Sequence, residues 1–117
     1  MEDGIYKNGY VKIKDGKIAG AGNMDELTNT DGEVIDACGG FILPGLIDAH
    51  THLGIWEDSL GIEGDDGNED TDPATPQLRA IDAVNPCDRS FCEALMAGVT
   101  TVLTGPGSAN PIAGQFT

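Results

Sequence analysis

The chain reads as a mixed α/β protein in which a small antiparallel β-domain precedes parallel β/α units, and three local signals carry that reading. Val11-Lys12-Ile13-Lys14 alternates apolar and charged residues and runs into Asp15-Gly16, the turn chemistry of a β-hairpin. Pro44-Gly45 opens a strand-like run, Leu46-Ile47-Asp48-Ala49-His50-Thr51-His52. An apolar helical stripe around Phe91 then leads through Gly98 into Val99-Thr100-Thr101-Val102-Leu103-Thr104, a run of strong β character. The expected boundary divides residues 1–43, part of a small β-sandwich-type domain, from 44–117, where the β/α units begin.

Within the first segment, Lys17-Ile18-Ala19-Gly20-Ala21 is the returning strand of the hairpin, and Glu33-Val34-Ile35-Asp36-Ala37, after Gly32, is a third short strand. Together they predict a small antiparallel sheet with too little aliphatic content to stand alone. Residues 53–72 follow the histidine run as a long loop. Glu57, Asp58, Glu63, Asp65, Asp66, Glu69, Asp70 and Asp72 lie there, and no Lys or Arg occurs from Thr51 to Leu78. Such a segment buries too little apolar surface to be a core element, and it reads either as a solvated, mobile loop or as a functional loop at the C-terminal end of the preceding strand.

A helix is predicted to start near Asn85, with Asn85 as N-cap, Pro86 at the first helical position and Asp88 in the first turn. Phe91, Ala94 and Leu95 form its apolar stripe, and Gly98 stops it. Strand, connection, helix and strand make a β-α-β unit with parallel strands. The last segment, Gly105-Pro106-Gly107-Ser108-Ala109-Asn110-Pro111, is rich in turn formers, and Ser108 and Asn110 are its candidate substrate-binding polar groups. It lacks the glycine–lysine pattern of a phosphate-binding loop.

Charge excludes some partners. Six basic residues against 20 acidic ones give a net charge of −14. Nucleic acid and anionic membrane both need compensating Lys and Arg, so neither is expected. No apolar stretch approaches a membrane span and no targeting segment is visible in the first thirty residues, which predicts a cytoplasmic protein. Cys38, Cys87 and Cys92 form an odd set that fits reduced thiols, with Cys87 and Cys92 expected as buried helix thiols rather than half of a zinc site.

The chemistry lies in His50 and His52. Side chains two apart on a strand share a face, so the two imidazoles project together, about 6.6 Å apart along the backbone. That spacing lets them converge on one cation, and Asp48 stands one step below on the same face. Gly39-Gly40-Phe41-Ile42-Leu43-Pro44-Gly45-Leu46-Ile47-Asp48-Ala49-His50-Thr51-His52 resembles the opening of the catalytic barrel in the metal-dependent amidohydrolase superfamily, which includes imidazolonepropionase-like, dihydroorotase-like and cytosine-deaminase-like enzymes. Residues 9–22 resemble the small β-domain before that barrel, and residues 93–102 its first helix and second strand.

The resemblance implies the first β/α units of a TIM-type (β/α)8 barrel, truncated, since a whole barrel takes about 250 residues and the chain has 117. It implies that His50 and His52 are the first pair of ligands to a divalent metal, zinc foremost, and that Asp48 orients them from behind. The substrate class is a small-molecule amide, cyclic amide or amidine whose C–N bond is hydrolysed by metal-activated water. The family's bridging ligand, further histidines and aspartate base belong to later strands, so no catalytic residue is assigned here. With two ligands and an open strand edge, the chain alone is expected to be inactive, and to self-associate or to need a C-terminal remainder. Two alternatives differ in class: a non-catalytic interaction fragment, and a calcium module. Asp66-x-Asn68-x-Asp70 begins like an EF-hand, but Thr71 and Gln77 stand where glycine and glutamate are required.

Overall fold

The structure, a computed structural model, describes residues 4–58 and 60–117. Its contacts separate two compact units, Met1–Ile42 and Leu43–Thr117.

The first unit is built on a hairpin. Strands β1 (Gly9–Lys14) and β2 (Lys17–Asn23) pair antiparallel from Gly9↔Asn23 to Lys14↔Lys17. The register shifts once after Lys12, leaving Ala19 as an extra, bulged residue on β2. Asp15 and Gly16 both take positive φ, 52° and 71°. That is the twist a two-residue hairpin turn needs, which Asp tolerates and Gly adopts freely. The expected third strand does not form. Residues 33–37 have no strand pairing, and Val34 and Ile35 are 73% and 85% exposed. A strand exists only as half of a ladder, and no free edge among the described residues takes this one. The sheet is therefore two-stranded rather than three-stranded.

The second unit holds the β-α-β element. Strands β3 (Leu46–Thr51) and β4 (Val99–Thr104) are parallel, and helix α1 (Arg89–Met96) precedes β4. Phe91, Ala94 and Leu95 border a cavity of about 200 Å³ together with Leu53, Val99 and Val102, so the helix's apolar stripe faces the sheet. The helix stops where expected. Gly98 has φ 89°, and its N–H reaches the Leu95 carbonyl at 2.9 Å. Its start is corrected by one turn: the cap is Asp88, whose carboxylate accepts from the Ser90 N–H at 3.0 Å. Asn85 instead closes a turn of its own, accepting from the Cys87 N–H at 2.9 Å. Cys87 and Cys92 are exposed, as is Cys38, and no disulfide is present, against the expectation of buried helix thiols. Cys92 follows Phe91 around the helix and so leaves the face that meets β4.

The acidic loop is irregular, as expected, yet it contributes Ile55 to the core. Ile55 is 1% exposed and Ala80, beyond the loop, 2%, and they are the buried apolar side chains among the described residues. Burying one isoleucine is worth about 1.5–3 kcal/mol. Glu57 and Asp66 donate their N–H groups to the Gly64 and Ile55 carbonyls at 2.8 and 3.0 Å, closing a small antiparallel bridge at Trp56↔Asp65. The chain's end is laced to the same region: the Ala80 N–H donates to Gln115 at 2.9 Å, and Thr104 and Thr117 exchange backbone bonds at 2.9 Å. No helix among the described residues is long and apolar enough to cross a membrane.

Candidate metal centre

The histidine pair sits where β3 ends. His50 is on the strand and His52 is one residue past its end. The same-face geometry survives that ending: the two rings lie with centroids 5.3 Å apart, edge to face. What holds them is the end of β4. The Gly105 N–H donates to the Thr51 carbonyl at 3.1 Å, and the Thr104 hydroxyl donates to the Leu53 carbonyl at 2.8 Å. Between these two bonds, His52 Nδ1 meets the Gly105 carbonyl at 2.7 Å. A carbonyl only accepts, so Nδ1 carries the proton and the Nε2 lone pair is left available. Metal-binding histidines are characteristically oriented in this way by a partner on the other nitrogen.

Each imidazole also has an aromatic neighbour that sequence reasoning missed. Trp56 lies 4.8 Å from His52 and Phe116 lies 5.4 Å from His50, centroid to centroid. Both neighbours rest on glycine backbone. A Cβ on Gly67 would fall 1.9 Å from the Trp56 indole nitrogen, and one on Gly105 would fall 2.3 Å from the Phe116 ring. Trp56 was open to discovery, being the chain's only tryptophan and four residues beyond His52. Nothing local marks Phe116 or the Gly105 carbonyl, which lie more than fifty residues away.

Asp48 is beside the pair but acts on the backbone: its carboxylate accepts from the His50 N–H at 3.1 Å. Asn110 is spent on the acidic loop, donating from Nδ2 to the Glu69 carbonyl at 2.6 Å and to the Asp72 carbonyl at 3.4 Å. Ser108 is exposed on the same turn-rich segment. Neither makes a hydrogen bond to the histidines among the described residues.

Asp88 is a further residue of this region. It is 6% exposed and gathers three N–H groups, from Ser90, Gly54 and Asp58, at 3.0, 3.2 and 3.4 Å. Burial acts to raise its pKa, but the bonds from Ser90, Asp58 and Gly54 outweigh that and hold it below the ordinary aspartate value.

The donor set fits part of a metal's coordination sphere. Two adjacent imidazoles, one with its tautomer fixed, suit a divalent cation. Among the described residues, no group of three or more His, Cys, Asp or Glu could hold an ion.

Comparison with known proteins places these residues in a wider context. No family model matches the chain. It is 40% identical over 116 residues to the amidohydrolase tasK of Hapsidospora irregularis, covering 98% of this chain and 11% of that protein. It is 43% identical over 55 residues to the imidazolonepropionase of Geobacillus sp., covering 42% of this chain and 13% of that one. The crystal structure of an amidohydrolase from Thermotoga maritima superposes on 92% of this chain with a TM-score of 0.82 and 43% identity, using 27% of the longer chain. The chain thus spans about a tenth of the length of the curated relatives it matches. Over the segment that it shares with them, it is a homologue of the amidohydrolases and imidazolonepropionases.

Proposed function

We propose that this chain forms the first β/α units of a TIM-type (β/α)8 barrel in a metal-dependent amidohydrolase, with residues 1–43 as part of the small β-domain before it. The observation that carries the reading is the paired imidazoles at the C-terminal end of a parallel strand, within a chain 43% identical to a solved amidohydrolase. That end of a barrel strand is where such folds build their active sites.

His50 and His52 would hold a divalent cation, zinc first among them, through the nitrogens that the chain leaves free. When bound, such a cation polarises a carbonyl and activates water for hydrolysis of a C–N bond. The chain's own part is to present the imidazoles. The Gly105 carbonyl keeps the proton on His52 Nδ1, and the Asp48 carboxylate steadies the His50 backbone. Ser108 would be a polar substrate contact from the loop after β4. The substrate class is a small amide, cyclic amide or amidine. Two protein ligands fall short of the three that catalytic zinc sites carry, so the chain by itself would bind metal weakly and turn nothing over. Three exposed, unpaired cysteines support a reducing, cytoplasmic setting.

The test is zinc titration of the purified chain by calorimetry, beside His50→Ala and His52→Ala. These are its only histidines, so each variant should lose most of the measured binding. Equal zinc affinity in all three proteins would sink the assignment. A parent chain that binds no zinc at all would favour the non-catalytic interaction fragment.

A further inference from the structure

We infer that Asp88 is a positioning residue for His52, acting through the loop between them rather than only as the cap of α1. The inference rests on the metal-site reading above for its functional meaning, but its geometry stands apart from that reading.

Asp88 splits its two oxygens between two tasks. Oδ1 accepts from Ser90, the capping bond, and from Asp58. Oδ2 accepts from the Gly54 N–H, a buried bond across 34 residues. Gly54 is two residues past His52, and its own carbonyl accepts from the Asn85 N–H at 2.8 Å, so both backbone polar groups of this one residue are tied to the segment before the helix. Arg89, next in the helix, reaches the Asp58 carboxylate at 3.3 Å, and Asn85 Nδ2 bonds the Glu57 carboxylate. The turn thus pinned folds back on the histidine: the Ile55 and Trp56 N–H groups both donate to the His52 carbonyl, at 3.0 and 3.2 Å, and the Trp56 ring packs on the imidazole. Asp88 therefore decides where the turn 53–58 lies, and the turn decides what packs on His52. A helix cap needs one acceptor. The second oxygen, buried and pointed at Gly54, is what a cap does not call for.

This separation gives a discriminating substitution. Asp88→Asn remains a good helix cap, and its side-chain oxygen still serves Ser90. Its amide nitrogen, however, faces the Gly54 N–H, donor against donor, and the tie to the turn is lost. Asp88→Ser is a second cap that is too short to serve both partners. Both variants should fold, with far-UV circular dichroism like the parent's.

Trp56, the only tryptophan, reports the turn directly. In both variants, acrylamide quenching of Trp56 should rise, and zinc affinity should fall on the order of tenfold, the usual scale for losing a ligand's supporting partner. Unchanged quenching and unchanged zinc affinity in Asp88→Asn would overturn the inference and leave Asp88 a cap alone. The two readings fail separately. If the parent binds no zinc, the metal assignment falls, whereas raised quenching in the variants would still establish that Asp88 places the surroundings of His52. Raised quenching with zinc affinity unchanged would overturn the link from turn to histidine.

Discussion

Because the Gly105 carbonyl holds His52 while the Phe116 ring rests on the Gly105 Cα and flanks His50, one glycine touches the surroundings of both imidazoles. A methyl group there would stand 2.3–2.4 Å from three atoms of the Phe116 ring, well inside contact distance, and the backbone beside the ring is held, since Thr117 is bonded to Thr104 on both sides, so relief has to come from turning the ring off the glycine and away from His50. Gly105→Ala should therefore cost about 1–3 kcal/mol, the range for overpacking, and weaken whatever zinc binding the parent has. Chemical denaturation checks the first part, and a double-mutant cycle checks its cause. In a Phe116→Ala background the added methyl has room, so Gly105→Ala should cost little there. A full cost in both backgrounds would mean that the strain lies elsewhere. The two histidines themselves were legible in the sequence because a period of two is a local property of a strand. Their partners were not, because the Gly105 carbonyl and Phe116 meet them only after a crossover brings distant segments together.

At the scale of elements, local chemistry was read well and pairing was not. The β1–β2 turn follows from which residues tolerate positive φ, and the end of α1 follows from Gly98 in the same way. Residues 33–37 have strand composition without a ladder partner, and composition cannot supply one. The start of α1 had two good caps three residues apart, Asn85 and Asp88, and tertiary bonds from Gly54 and Asp58 chose between them. Likewise Ile55 was hidden in an acidic average. The choice of cap has a pH signature. Asp88's folded pKa lies below the value of about 3.9 for a free aspartate. Its contribution is thus in full force above that value and is lost as pH falls through the folded pKa. At neutral pH the parent should exceed Asp88→Asn in stability by about 1.5–3 kcal/mol, the scale of bonds to a charged acceptor. The gap should narrow as pH falls below the free aspartate value and close only below the lowered folded pKa. The remaining carboxylates are common to both proteins and cancel in the comparison, so a gap independent of pH in thermal melts would argue against the ionised carboxylate as its source.

For the whole molecule, area and charge pull in opposite directions. Apolar surface stands open in each unit taken alone: Ile13, Ile18 and Phe41 are 69%, 75% and 90% exposed in the first, and Leu46, Ile47 and Met96 are 58%, 74% and 81% exposed in the second. Strands β3 and β4 form a two-stranded parallel sheet, so each also offers a free edge. Parallel sheets are ordinarily covered on both faces, and a homologue more than three times as long has the chain to cover them. Against association stands a net charge of −14, whose repulsion is long-ranged only at low ionic strength. We therefore expect sedimentation to report smaller species in about 10 mM salt and larger ones in about 500 mM, where the Debye length has shrunk from about 30 Å to under 5 Å. A dye that fluoresces on apolar surfaces should bind at low salt and be partly displaced as the faces meet. A monomer at both salt concentrations, without dye binding, would show that these faces are not the surfaces that the chain uses to associate.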